Sequence, residues 1–121
     1  NGPTVKPDYT VIPSCIYTVP ALSTVGLTEQ EAKNKGLDVK VFTNDMTDWF
    51  SGKSYAETVA WAKVFVDEGE DRIVGAHLVG HQGEELIHLF SLAMRHGIPA
   101  SKLKDDMFAF PTFSSDVKNL F

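Results

Sequence analysis

The chain has a single cysteine, Cys15, in 121 residues, so no intrachain disulfide can form. A lone thiol fits a reducing compartment, and the expected location is the cytoplasm. Charge clusters are missing as well. The eleven basic residues are scattered with no two adjacent, and the formal net charge is −5. That balance argues against nucleic acid, and against an anionic membrane surface, as the main partner. No apolar stretch approaches the roughly 18 residues needed to cross a bilayer, and no secretory signal is readable. Glycine-rich phosphate loops are also absent. Gly75, Gly80 and Gly83 form only a loose pattern between a strand and a helix. It has neither the Lys-Ser/Thr of a phosphate loop nor the Gly-x-Gly-x-x-Gly of a dinucleotide fold, so no nucleotide site is expected in these residues.

What remains is ordinary globular material. An apolar content of 43%, with 11% aromatics, excludes wholesale disorder, and 121 residues suffice for one core. The first residues are Asn1-Gly2-Pro3 rather than Met, as expected of a piece of a longer protein. Residues 1–10 are polar and carry Pro3 and Pro7. They read as a linker from an upstream domain or as an appended end, with residues 11–121 as the folded domain.

Ile12 to Thr18 is β-branched and aromatic and reads as a strand, with Pro13 at its start. Thr28 and Glu31 form a capping box that opens a short helix, which Gly36 closes. Leu37, Val39 and Val41 alternate with Asp38 and Lys40, the period of a half-buried strand. Residues 44–54 are polar and turn-rich apart from Trp49 and Phe50. Tyr55 to Asp67 is strand-like, residues 67–71 read as a hairpin turn, and Ile73 to Val79 as its return strand. Gly83 to His96 is the best helix: Leu86, Ile87, Phe90, Ala93 and Met94 share one face, and Gly97 and Pro99 end it. A short turn is expected over Ser101–Asp105. Ser114 or Ser115 is expected to cap a last helix over Asp116–Leu120. The order predicts an α+β fold, an antiparallel sheet of about four to five strands with helices packed on one face.

Few of these residues point to chemistry. His77 and His81 lie four apart on or just past a strand, where that spacing separates two ligands. Glu84 and His88 share a helical face, but two ligands without a third read as a solvated pair. Metal binding is therefore not expected. Cys15 has no partner and reads as a buried, inert thiol. Trp49, Phe50, Trp61 and Phe65 read as core or dimer contacts.

Two blocks carry more. Ser23-Thr24-Val25-Gly26-Leu27-Thr28-Glu29-Gln30-Glu31-Ala32 follows Pro13–Pro20, and Phe108-Ala109-Phe110-Pro111-Thr112-Phe113-Ser114-Ser115-Asp116 lies near the C-terminus. Between them, Gly80 and Glu85-Leu86-Ile87 open the long helix. In this order the chain resembles, over about residues 10–117, the C-terminal dimerisation domain of the FAD-dependent pyridine nucleotide-disulfide oxidoreductases. This is the glutathione reductase and dihydrolipoamide dehydrogenase family. The late segment of that family usually reads His-Pro-Thr, followed three residues after the Thr by Glu. Here Phe110 stands at the His and Ser115 at the Glu, while Pro111 and Thr112 match.

The resemblance implies a homodimer, joined in one chain to upstream FAD- and NAD(P)-binding domains. It also implies that Phe110, Pro111 and Thr112 approach the flavin of the partner subunit, with the residue 110–111 peptide cis. The family His, oriented by the Glu, exchanges protons with redox-active thiols. Phe has no proton to move and Ser is not a carboxylate, so no catalytic residue is assigned in this loop. Mercuric reductases also lack this His but carry a C-terminal cysteine pair, which this chain does not have. In place of acid-base work, Phe110 would stack on a flavin edge or wall off a small apolar substrate; filling core or interface is the bland alternative. Asp116 sits one residue past the Glu position, where a helix N-terminus explains it. For the intact protein the expected reaction is electron transfer from NADH or NADPH through FAD to a non-disulfide acceptor such as a quinone. These 121 residues alone are expected to bind no cofactor and catalyse nothing. The alternative is a free-standing α+β binding module without a redox role.

Overall fold

The computed structural model describes Gly2 and residues 4–121. Five strands form one antiparallel sheet: β1 (Ser14–Ile16), β2 (Leu22–Gly26), β3 (Val39–Asp45), β4 (Trp61–Asp67) and β5 (Arg72–Val79). Their order is β1-β2-β5-β4-β3, which puts the β4–β5 hairpin in the middle. The helices are α1 (Glu29–Asn34), α2 (Phe50–Ser54), α3 (Gly83–His96), α4 (Ala100–Asp105) and α5 (Phe113–Asp116), with a 3₁₀ turn at Val117–Asn119. The fold is α+β, as the sequence predicts.

The core follows from pleat parity. Ala62, Val64 and Val66 of β4 and Ala76 and Leu78 of β5 are buried on one face. Against them α3 presents Leu86, Ile87, Phe90 and Ala93, the apolar stripe read from the sequence. Gly97, with φ +64°, ends that helix in the left-handed conformation its lack of a side chain allows. On the opposite face Phe65 is also buried, and a bulge leaves Val74 without a partner on β4, since Phe65 pairs with Gly75 and Val66 with Ile73. A side chain at Gly75 would run into the Leu27 carbonyl, so this close approach of backbones requires glycine.

α1 starts as expected. Thr28 accepts from the Glu31 N–H at 3.3 Å, and Glu31 accepts from the Thr28 N–H at 2.7 Å. Glu29 of α1 reaches across to Lys63 of β4 at 2.6 Å and pairs with Lys33 at 2.9 Å. Those two donors hold the Glu29 carboxyl down to about 2.

Elsewhere the structure corrects the sequence reading. Leu22–Gly26, read only as part of a motif, is a central-side strand. The strand expected from Tyr55 begins at Trp61. Within the polar stretch 44–54 lies the short helix α2, where Gly52 is buried against the backbone carbonyls of Met46 and Thr47. Ala100–Asp105 is a helix rather than a turn, tied down by Asp71, which accepts from the Ser101 N–H at 3.0 Å and from its hydroxyl. Cys15 is only partly buried, its Sγ 3.4 Å from Ser23 Oγ. Phe50 and Trp61 are exposed, so of the two readings, core or dimer contact, core does not hold for them.

Candidate functional site

The C-terminal loop is shaped by hydroxyls. Thr112, not Ser114 or Ser115, caps the last helix, which starts at Phe113. Its Oγ1 accepts from the Ser115 N–H at 3.0 Å and donates to the Ala109 carbonyl at 2.6 Å. In return Ser115 Oγ accepts from the Thr112 N–H at 3.2 Å and donates to the Thr112 carbonyl at 2.6 Å. Ser115 is thus a loop brace, 3% exposed, and its hydroxyl faces inward. Asp116 is the last residue of this single turn, still within its first turn, and is the N-cap residue of the 3₁₀ turn that follows.

This bracing turns Phe110 outward. The Phe110–Pro111 peptide is cis, and Phe110 is 73% exposed. Its ring rests on Phe50 of α2, centroids 5.9 Å apart. Burial in the monomer's core is therefore not its role. Met107, just before, is almost wholly exposed. Between α2 and the loop runs an open groove of about 380 Å³, walled by Phe50, Tyr55 and Phe113 and floored by Pro111. Residues 108–115 contain no ionisable side chain. The loop itself offers ring faces and hydroxyls, and nothing that exchanges a proton near neutral pH.

Asp106 and Asp116 flank the loop in sequence, and a further ionisable pair comes from elsewhere in the chain. His81, just past β5, has its ring 5.1 Å from that of Tyr55 and 5.4 Å from that of Phe113. Tyr55 and Phe113 in turn lie 5.2 Å apart, closing a triangle of rings. The His81 Nδ1 is 3.9 Å from a carboxylate oxygen of Glu57. Sequence reasoning missed this pair. Glu57 lies in what reads as a strand, and only folding brings it to the end of β5.

His77 is placed differently, although it is four residues away. Its Nε2 donates to the Leu27 carbonyl at 2.9 Å, which leaves Nδ1 to accept from Thr24 Oγ1 at 2.5 Å. Both ring nitrogens are spent on joining β2, β5 and the approach to α1. Glu84 and His88 stay on α3, and no group of three or more metal-ligating side chains is found among the described residues.

Comparison with known proteins bears on this arrangement directly. Residues 12–121 match the family model described as the pyridine nucleotide-disulphide oxidoreductase dimerisation domain. A protein of Staphylococcus aureus, described as an uncharacterized 19.7 kDa protein in the mercuric resistance operon, is 44% identical over 120 residues, covering 99% of this chain and 67% of its own length. Dihydrolipoyl dehydrogenase of Chlorobaculum tepidum is 34% identical over 108 residues, which cover 89% of this chain and 23% of that enzyme. Among solved structures, the HOCl-induced flavoprotein disulfide reductase RclA of Escherichia coli superposes with a TM-score of 0.88 at 30% identity. That match covers 92% of this chain and 26% of RclA. The chain therefore spans about a quarter of the enzymes it resembles. It belongs to the dimerisation-domain family of the pyridine nucleotide-disulphide oxidoreductases.

Proposed function

We propose that this chain is the pairing domain of an FAD-dependent NAD(P)H oxidoreductase. Two copies join through an isologous, largely apolar surface, and each lends Phe110, Pro111 and Thr112 to the flavin of its partner. The observation that carries the reading is the joining of two facts. The family match spans residues 12–121, and the loop within it is braced so that an apolar ring points into solvent. Phe110 and the neighbouring Phe50 together leave ring surface in solvent, and contiguous exposed apolar area is a mark of interaction sites.

The upstream FAD- and NAD(P)-binding domains belong to the same longer chain, in the cytoplasm, without nucleic acid or membrane as partner. Residues 1–10 serve as the linker between them and the domain at 11–121. Because neither Phe110 nor Ser115 carries a titratable group, the acceptor is a small non-disulfide oxidant such as a quinone. Phe110 then provides a ring surface for the flavin edge or for that oxidant.

One observation favours a second reading, a free-standing small α+β binding module without a redox role. The S. aureus relative is only about half as long again as the region it shares with this chain, given its 67% coverage. Mixing the chain with NADPH, FAD and glutathione disulfide separates activity of these residues from activity of a longer protein. No turnover and no tight flavin binding are expected. A stoichiometric yellow complex would overturn the assignment of cofactor binding to upstream domains.

A further inference from the structure

The Phe110–Ser115 loop is fastened to α2 mainly by rings. Among the described residues, the hydrogen bond from α2 to the loop is a long one, Ser51 Oγ donating to the Thr112 carbonyl at 3.5 Å. Phe113, by contrast, contacts both Tyr55, the residue that ends α2, and His81. His81 thus sits where three segments meet: the end of α2, the start of α5 and the exit of β5. It is the one member of the ring triangle with a basic ring nitrogen.

We propose that His81 is the positioning residue of this loop: with Glu57 it clamps Phe113 against Tyr55, and the clamp tightens when the imidazole takes up a proton. That the positioned loop serves a flavin rests on the reading above; the clamp itself does not.

The surroundings of His81 set the sign. Neutral, the imidazole makes its ring contacts and a long contact from Nε2 to the Gln82 amide, and no charged one. Protonated, it faces the Glu57 carboxylate at 3.9 Å and lies as a cation beside two aromatic rings. Glu57 is 17% exposed and His81 41%, so the pair is screened less than a fully solvated one. Asp116 of α5 lines the same small cavity as Glu57, His81 and Phe113, adding a second negative charge. No Lys or Arg lines that cavity, so no facing cation opposes the protonated form there. The Gln82 amide, 3.4 Å from His81 Nε2, can turn its oxygen to accept the new N–H.

The test is amide hydrogen exchange, followed by NMR on the 121-residue chain at pH 5.5 and pH 7.5 and corrected for intrinsic rates. The probe is the Ser115 N–H, which closes the loop onto Thr112. Its protection is expected to rise about twofold to fivefold on acidification, the scale of a partly exposed ion pair. Amides of Val64 and Ala76 in the sheet should show no such step. Glu57→Gln is expected to abolish the step while leaving the ring contacts. His81→Gln should abolish it too and loosen the loop at both pH values.

A wild-type chain without the step, or a Glu57→Gln chain that keeps it, would overturn the proposal. Should His81→Gln fail to fold, the Glu57→Gln comparison still decides. None of these readouts involves flavin or a partner domain. A failed clamp and a failed pairing-domain reading are therefore separable.

Discussion

Phe90 and Phe110 are the same side chain in opposite surroundings. Phe90, in the middle of α3, is fully enclosed by the sheet residues Val64, Ala76 and Leu78 and their neighbours. Phe110, at the tip of the C-terminal loop, leaves most of its ring in solvent beside the less exposed Phe50. The first is explained by folding alone, because burying a Phe side chain is worth roughly 1.5–3 kcal/mol. The second is not explained by folding at all. The α3–sheet interior is what makes the domain stable, while the loop is a presented surface whose shape is fixed by a few hydroxyl bonds. A sheet–helix core supports, at some distance, a segment that leaves its apolar ring in solvent.

The largest expected effect comes from attacking the interior. Phe90→Ala should cost about 3–5 kcal/mol, read by urea denaturation, because the cavity left under α3 cannot collapse against a paired sheet. Thr112→Ala removes the acceptor for the Ser115 N–H and the donor to the Ala109 carbonyl. A loss of about 1 kcal/mol is expected for such a cap, concentrated in hydrogen-exchange protection of residues 112–116 rather than in β4 and β5. If Thr112→Ala lowered protection in the sheet as strongly as in the loop, the division into core and presented surface would fail.

A smaller effect concerns acid. The Glu29 carboxyl is lowered to about 2 by the hydrogen bonds from Lys63 and Lys33. A carboxyl depressed on folding adds stability that is fully present above its unfolded value, near 4.5. That contribution is lost as pH falls from about 4.5 towards about 2. Because the Glu29 side chain keeps 39% of its surface in solvent, the contribution is small and salt-screened. Glu29→Gln should flatten this part of the acid limb of a stability–pH curve and leave the neutral plateau nearly unchanged. The smallest effect belongs to Phe110→Ser, expected within about 0.5 kcal/mol of wild type, as for surface positions that fold without help. A loss of several kcal/mol there would mean that Phe110 serves the monomer after all.

The same contrast explains how much was legible in the sequence. α3 announces itself through Leu86, Ile87, Phe90 and Ala93 at helical spacing and Gly97 at its end. α1 does so through Thr28 and Glu31, whose reciprocal bonds are local. The family blocks lie in the chain order in which they were read. What escaped notice depends on distant contacts. α2 is five residues long with a Gly inside, and it exists because Gly52 fits against the Met46–Thr47 backbone. Leu22–Gly26 lacks a clear period-two pattern, and its strand character comes from pairing with both β1 and β5. In the run Thr112-Phe113-Ser114-Ser115 three hydroxyls compete to be the cap, and local propensity does not choose among them. The packing of Phe113 on Tyr55 and His81 accompanies the choice of Thr112. The pairing of His81 with Glu57 has no local signature, because the two meet only once β4 and β5 have formed.

The pairing assignment is tested most directly by light scattering on the 121-residue chain over a wide concentration range. A mass of about twice 13.3 kDa, falling only on strong dilution, is the expected result. A mass of 13.3 kDa that persists at the highest concentrations would contradict a pairing surface contained in these residues.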